Sequence, residues 1–146
     1  ESRQNVVAML KEKFSGLKSI SVPELPEGSE PSYWFYRLRF NEDAVGCSKA
    51  YFLEAVEAEG VKMIKDYSFA RPFLMDWFVN KKAFGTGGFP WTAPQYKGNY
   101  TTDFDCPNVE DALAAHFNLH VYESWGEKEA DLIFRAFQKV EQAFTE

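Results

Sequence analysis

Apolar residues at Val6, Val7, Leu10, Phe14 and Leu17 recur at three- and four-residue steps, with Arg3, Lys11, Glu12 and Lys13 largely off that stripe. This period predicts a first amphipathic helix, and Gly16 supplies its stop. From Ser21 to Pro31 the pattern lapses. Pro23, Pro26, Pro31 and Gly28 predict an extended connection there, because proline offers no backbone donor. Alternation then takes over. Across Ser32 to Asn41, Trp34, Tyr36, Leu38 and Phe40 share one face and Tyr33, Phe35, Arg37 and Arg39 the other. Such a segment predicts a strand with one face in the core and one half-wet.

Helical spacing returns at Lys49 to Glu59, where Phe52, Leu53, Val56 and Ala55 make a stripe, Ser48 is the N-cap and Gly60 the left-handed C-terminal residue. A short strand, Val61 to Ile64, comes next. Between Asp66 and Asp105 regular signals stop: Gly85, Gly87, Gly88, Gly98, Pro72, Pro90 and Pro94 are mixed with many aromatic residues. That predicts an extended, aromatic-rich surface loop with a short helix around Phe73 to Val79. Pro107 suits the first turn of a helix reaching Ala115, and Phe117 to Tyr122 reads as another short strand. Ser124 and Glu127 have the spacing of a capping box for a last helix to Phe144, with Ala130, Ile133, Phe137, Val140 and Phe144 on one face. The order predicts an α+β fold. One domain, 1-146, holds a small, mainly antiparallel sheet of about three strands covered by helices in a two-layer sandwich, with a long aromatic-rich loop.

Composition narrows the function classes. The 146 residues carry 16 Lys plus Arg against 22 Asp plus Glu, a formal charge of −6. No Lys/Arg stripe exists to displace counterions from phosphates, so no nucleic-acid partner is expected. No apolar run approaches the ~20 residues that span a bilayer, so no membrane partner is expected either. Cys47 and Cys106 belong to no CxxC or CxxH pair, and no signal-peptide pattern opens the chain, which points to a reducing, cytoplasmic setting. The start at Glu1 leads us to expect a piece of a longer protein. The departure from average is aromatic content: 14 Phe, 7 Tyr and 4 Trp, or 17 %.

Candidate chemistry is thin. His116 and His120 are four apart, a zinc spacing only if one helix held both, and the pattern puts a helix end between them. No metal site is expected. Gly85-Thr86-Gly87-Gly88 lacks the Gly-Lys-Ser/Thr ending of a phosphate loop, so flexibility is the reason assigned to its glycines. Asn99-Tyr100-Thr101 is a sequon by pattern alone. Asp103 and Asp105 flank Phe104, while Glu123, Glu127, Glu129 and Asp131 gather at the last helix's start, where its dipole favours negative charge. No nucleophile, base and orienting acid emerge, and no catalytic residue is assigned. Polar residues among aromatics in the long loop stand out: Lys65, Asp66, Tyr67, Arg71, Trp77, Trp91, Gln95, Tyr96 and Tyr100. Aromatic faces with a few fixed donors suit sugars and other polyols, and Arg71 suits a carboxylate or phosphate. The same residues also suit plain packing of the loop onto the sheet. A free-standing carbohydrate- or protein-binding module is one function consistent with them.

Four segments in register resemble a known family. They are Tyr33-Trp34-Phe35-Tyr36-Arg37-Leu38-Arg39, then Ser48 with Phe52 to Val61, then Cys106-Pro107-Asn108-Val109-Glu110, then Arg135 to Val140. Their order and spacing are similar, over nearly the whole chain, to the C-terminal small domain of the DegT/DnrJ/EryC1/StrS aminotransferases. The resemblance implies a pyridoxal-phosphate enzyme of fold type I. Such enzymes pass an amino group from glutamate or glutamine to a keto-sugar, nucleotide sugar or keto-cyclitol, and are generally homodimers.

It further implies that the Schiff-base lysine, the acid on the pyridine nitrogen and most phosphate contacts lie in a preceding large domain, which is this fragment's partner. Pyridoxal phosphate is then expected in the full-length enzyme and none on this fragment alone, which should be inactive. Lys81 and Lys82 near Gly85 to Gly88 do not match the family's lysine segment, because the gap from Ser68 is too long. After the Glu-Gly-Val turn, the family's chain runs along the active-site mouth. By resemblance Lys65 to Phe73 does so here, with Tyr67 where a tyrosine is common and Pro72-Phe73 similar to the family's next proline and apolar residue. This chain departs in lacking a proline after Tyr67 and in a longer insert through Tyr100, a feature similar to members acting on cyclitols or unactivated sugars. Tyr67, Arg71, Trp91 and Tyr96 are the candidate substrate-binding residues, and a subunit contact is the alternative role for the same loop.

Overall fold

The computed structural model describes residues 1–67, 69, 71–99 and 104–146. It divides into two compact units, Glu1–Tyr67 with Leu113–Glu146, and Ser68–Ala112. In the first unit, four strands form one antiparallel sheet: β1 (Ile20–Ser21), β2 (Phe35–Phe40), β3 (Met63–Ile64) and β4 (His116–His120), in the order β1-β2-β4-β3. This is the expected α+β class. The strand beyond expectation is β1, whose two residues pair with Phe40 and Arg39 at the start of the proline-rich connection. Its end has a simple cause. Continuing the register from Ser21↔Arg39 would set Pro23 opposite Arg37, where proline has no N–H to give.

Helices α1 (Ser2–Phe14), α3 (Lys49–Ala58) and α6 (Glu127–Thr145) pack their apolar stripes on one sheet face, with the short α2 (Glu42–Val45) between β2 and α3. Phe137 of α6 is central: its ring lies 5.2 Å from Phe14, 6.3 Å from Phe52 and 6.0 Å from Phe117. Ion pairs tie the helices together at their rims, Lys13 to Asp131 at 2.6 Å and Lys139 to Glu59 at 2.7 Å. The hydrogen bond from Lys13, followed by its charge, holds the Asp131 carboxyl below its ordinary range. Ser48 caps α3 as expected, its Oγ accepting from Tyr51 N at 3.4 Å. Only the reciprocal half of a capping box forms, and it lies elsewhere. Gly126, not Ser124, is the N-cap of α6, and Glu129 accepts from Gly126 N at 2.9 Å. Trp125 is held against Tyr122 at 5.0 Å in a turn closed by Trp125 N to Tyr122 O, so Ser124 is spent in that turn and the helix starts after it.

Trp34 also departs from expectation. Tyr33 takes a φ of 49°, which breaks the alternation before β2 begins and leaves Trp34 71 % exposed rather than in the core row with Tyr36, Leu38 and Phe40.

The second unit holds a 3-10 turn (Pro72–Leu74), α4 (Asp76–Val79) and the first part of α5 (Pro107–Ala115). Its rings pack on one another: Phe78 lies 5.8 Å from Trp91 and 5.7 Å from Phe104. The glycine-rich stretch is a turn closing an antiparallel bridge between Phe84 and Phe89, with Gly85 at φ 62° and Gly88 at φ 71°. Left-handed backbone, which glycine alone adopts freely, is the reason for those two glycines rather than flexibility.

Candidate functional site

Away from the helices, the sheet of the first unit presents side chains of alternate positions. The register sets Phe35 beside His120, Arg37 beside Asn118 and Arg39 beside His116. Two-residue periodicity therefore gathers two arginines, two histidines, an asparagine and a phenylalanine on one face. Both histidines belong to β4, where a strand and not a helix holds them. Arg37 Nε donates to Asn118 Oδ1 at 3.3 Å, which fixes the guanidinium while Arg37 and Arg39 stay exposed. Aromatic rings continue the row: Phe35 meets Tyr67 at 5.8 Å and His120 at 5.7 Å, and His120 stacks on Tyr122 at 6.2 Å. Chemically, a surface of cationic forks and ring faces suits flat or polar molecules bearing negative charge.

Tyr67 is thus seated beside Phe35. Each of the other candidate residues has its own partner in the second unit. Arg71 forms an ion pair with Glu110 at 2.7 Å, and its buried Nε has no hydrogen-bond partner among the described residues. Trp91 is 7 % exposed and packs on Phe78. Tyr96 donates its hydroxyl to Asn99 O at 3.0 Å. Tyr100 and Thr101 of the sequon, Asp103, and Ser68 and Ala70 beside Tyr67's segment lie outside the described residues. Sequence reasoning misses Phe35 as the neighbour of Tyr67, and His120 and Tyr122 as the rings that continue from Phe35, because they lie far apart along the chain; strand alternation at Phe35 is the available signal.

Lys49 does not fit the role of a pyridoxal-phosphate amine. Burial lowers the pKa of Lys49, with Asp66 opposing, and a depressed amine is what a Schiff-base lysine needs. Its Nζ, however, donates to Leu113 O at 2.6 Å and His116 O at 3.0 Å. Lys49 therefore closes the C-terminal end of α5, where strand β4 begins at once and leaves no loop to satisfy the last carbonyls. Lys49→Met should reduce stability by about 1.5 kcal/mol through those orphaned carbonyls, measured by urea unfolding; an unchanged midpoint would remove this role. Among the described residues no cluster of three or more His, Cys, Asp or Glu could hold a metal ion, and both cysteines are free thiols. No helix among them is long and apolar enough to cross a membrane.

No family model matches the chain, and no curated protein sequence is similar to it. Among solved structures, the aminotransferase TlmJ from Streptoalloteichus hindustanus is similar in fold, with a TM-score of 0.65 and 15 % sequence identity. That likeness covers 99 % of this chain and 32 % of the neighbour's. The chain therefore has an aminotransferase-like domain fold and spans a fraction of that neighbour's length.

Proposed function

We propose that these 146 residues are the C-terminal small domain of a pyridoxal-phosphate aminotransferase of the DegT/DnrJ/EryC1/StrS type, acting on a keto-sugar, nucleotide sugar or keto-cyclitol. The observation that carries the reading is the fold likeness over 99 % of this chain but 32 % of an aminotransferase chain. The sheet face with Arg37, Arg39, His116 and His120 supports it as a surface for the rest of an enzyme. Lys49 is held by two carbonyls rather than free as a cofactor's amine, which is in keeping with a larger partner domain supplying that chemistry. Homodimerisation and a cytoplasmic setting belong to the same proposal.

Expression of the complete reading frame provides the test. Borohydride reduction should trap a stoichiometric cofactor–lysine adduct that maps outside these residues. An adduct on Lys49 or another lysine of this chain, or a complete protein that takes up no cofactor and transfers no amino group, would overturn the reading. Tyr67, Arg71 and Tyr96 are each assigned a contact with the acceptor, and Trp91 anchors packing in the second unit. Replacing Tyr67 or Arg71 singly by alanine should raise KM for the acceptor roughly tenfold, as loss of a hydrogen-bonded or charged contact does. Unchanged acceptor kinetics in either variant would withdraw that residue.

A further inference from the structure

The outer edge of β2 is open where β1 stops. Asn41 N donates to Ser19 O at 2.8 Å and Ser21 lies opposite Arg39, so odd-numbered residues of β2 turn their main-chain groups toward β1. Antiparallel strands alternate in this way. Phe35 and Arg37 accordingly direct N–H and C=O to the same edge, past the end of β1, and no main-chain partner meets them there among the described residues. A groove of about 500 Å³ runs along this edge. Its lining comes from Val22, Pro23, Leu25 and Pro31 of the connection, from the consecutive run Ser32 to Arg37, and from Lys11 and Asn118. Because consecutive strand residues line it, the groove touches both sheet faces and the main chain between them.

We propose that the β2 edge at Phe35 and Arg37 binds an extended, acidic peptide segment as an added strand. Added strands gain affinity from main-chain hydrogen bonds and specificity from side chains alternating to either face. Unpaired edges are normally shortened, covered or charged, and here the charges in the groove have one sign. Lys11 and Arg37 line it and no Asp or Glu does, although the chain's net charge is −6. Glu24, Glu27 and Glu30 of the connection are exposed and none of them lines the groove. That complementarity selects an acidic occupant. A second copy pairing antiparallel about Arg37 through the same edge would set Arg37 opposite its own counterpart, and like charges across strands oppose pairing. Trp34, 71 % exposed with the Arg3 guanidinium 5.8 Å from its ring centroid, offers an apolar wall to the incoming side chains.

The test uses a blocked peptide alternating valine with glutamate, its counterpart alternating valine with lysine, and the glutamate peptide N-methylated at every second residue. Titrated into the 15N-labelled chain, the glutamate peptide should slow amide exchange at Phe35 and Arg37 by roughly tenfold or more and bind roughly tenfold tighter than the lysine peptide. The methylated peptide should give no protection. Arg37→Glu should reverse the charge preference; if that variant fails to fold, Lys11→Glu on the exposed side of α1 should weaken the preference by roughly threefold. Absent protection at saturating peptide, equal affinity for both charges, or protection that grows with protein concentration alone would each overturn the proposal, the last by assigning the edge to a second copy.

Discussion

Replacing Phe137 by alanine is expected to lower the free energy of unfolding by about 3–5 kcal/mol, the range for truncating a fully buried aromatic side chain. Phe137 is wholly inaccessible to solvent and touches the rings of Phe14, Phe52 and Phe117, so one side chain joins α1, α3, β4 and α6. Little can collapse into the space it leaves, because its neighbours are themselves held by the sheet and by two helices. Typical domains hold about 5–15 kcal/mol in total, so the variant should be close to its unfolding threshold. Leu132→Ala on the same helix is the matched control: Leu132 is 57 % exposed, and surface changes of this kind stay within about 0.5 kcal/mol. Urea unfolding followed by far-UV circular dichroism measures both. A loss below about 1 kcal/mol for Phe137→Ala would mean that the three-helix layer is not one cooperative core.

Trp91→Ala carries the second large effect, in the unit formed by Ser68–Ala112. Trp91 is its buried ring, set edge-on to Phe78, which in turn meets Phe104. So small a unit has few other apolar contacts to fall back on, and removal of the indole should cost about 3 kcal/mol or more. Hydrogen exchange reads this directly. The bonds from Lys82 N to Trp77 O, Thr92 N to Gly88 O and Ala93 N to Pro90 O should lose protection by roughly tenfold or more. Unchanged protection together with a raised acceptor KM in a complete protein having the proposed activity would assign Trp91 to ligand contact instead of packing.

The two effects differ in how far ahead of the structure they could be seen. Phe137 was legible as a core residue because Ala130, Ile133, Phe137 and Val140 lie on one helical stripe, and a stripe of that width has to be buried. Trp91 lies among glycines and prolines with no period of its own, so its burial depends on Phe78 and Phe104, each more than ten residues away in the sequence. The site shows the same division. Tyr67 and Arg71 stood out by residue type, yet their neighbours Phe35 and Glu110 are brought to them by the fold.

The sequence by itself determined the helical periods, the Ser48 cap of α3, the Pro107 start of α5 and the α+β order, since these depend on residues within a turn or two of one another. Tertiary structure alone decided that Ile20–Ser21 pairs with β2, that Trp34 turns outward, that Gly126 caps α6, that His116 and His120 share a strand face, and that Phe35 and Arg37 keep an open edge. Strand pairing and burial join positions tens of residues apart. Their outcome rests on competition among many weak long-range contacts that no local pattern records.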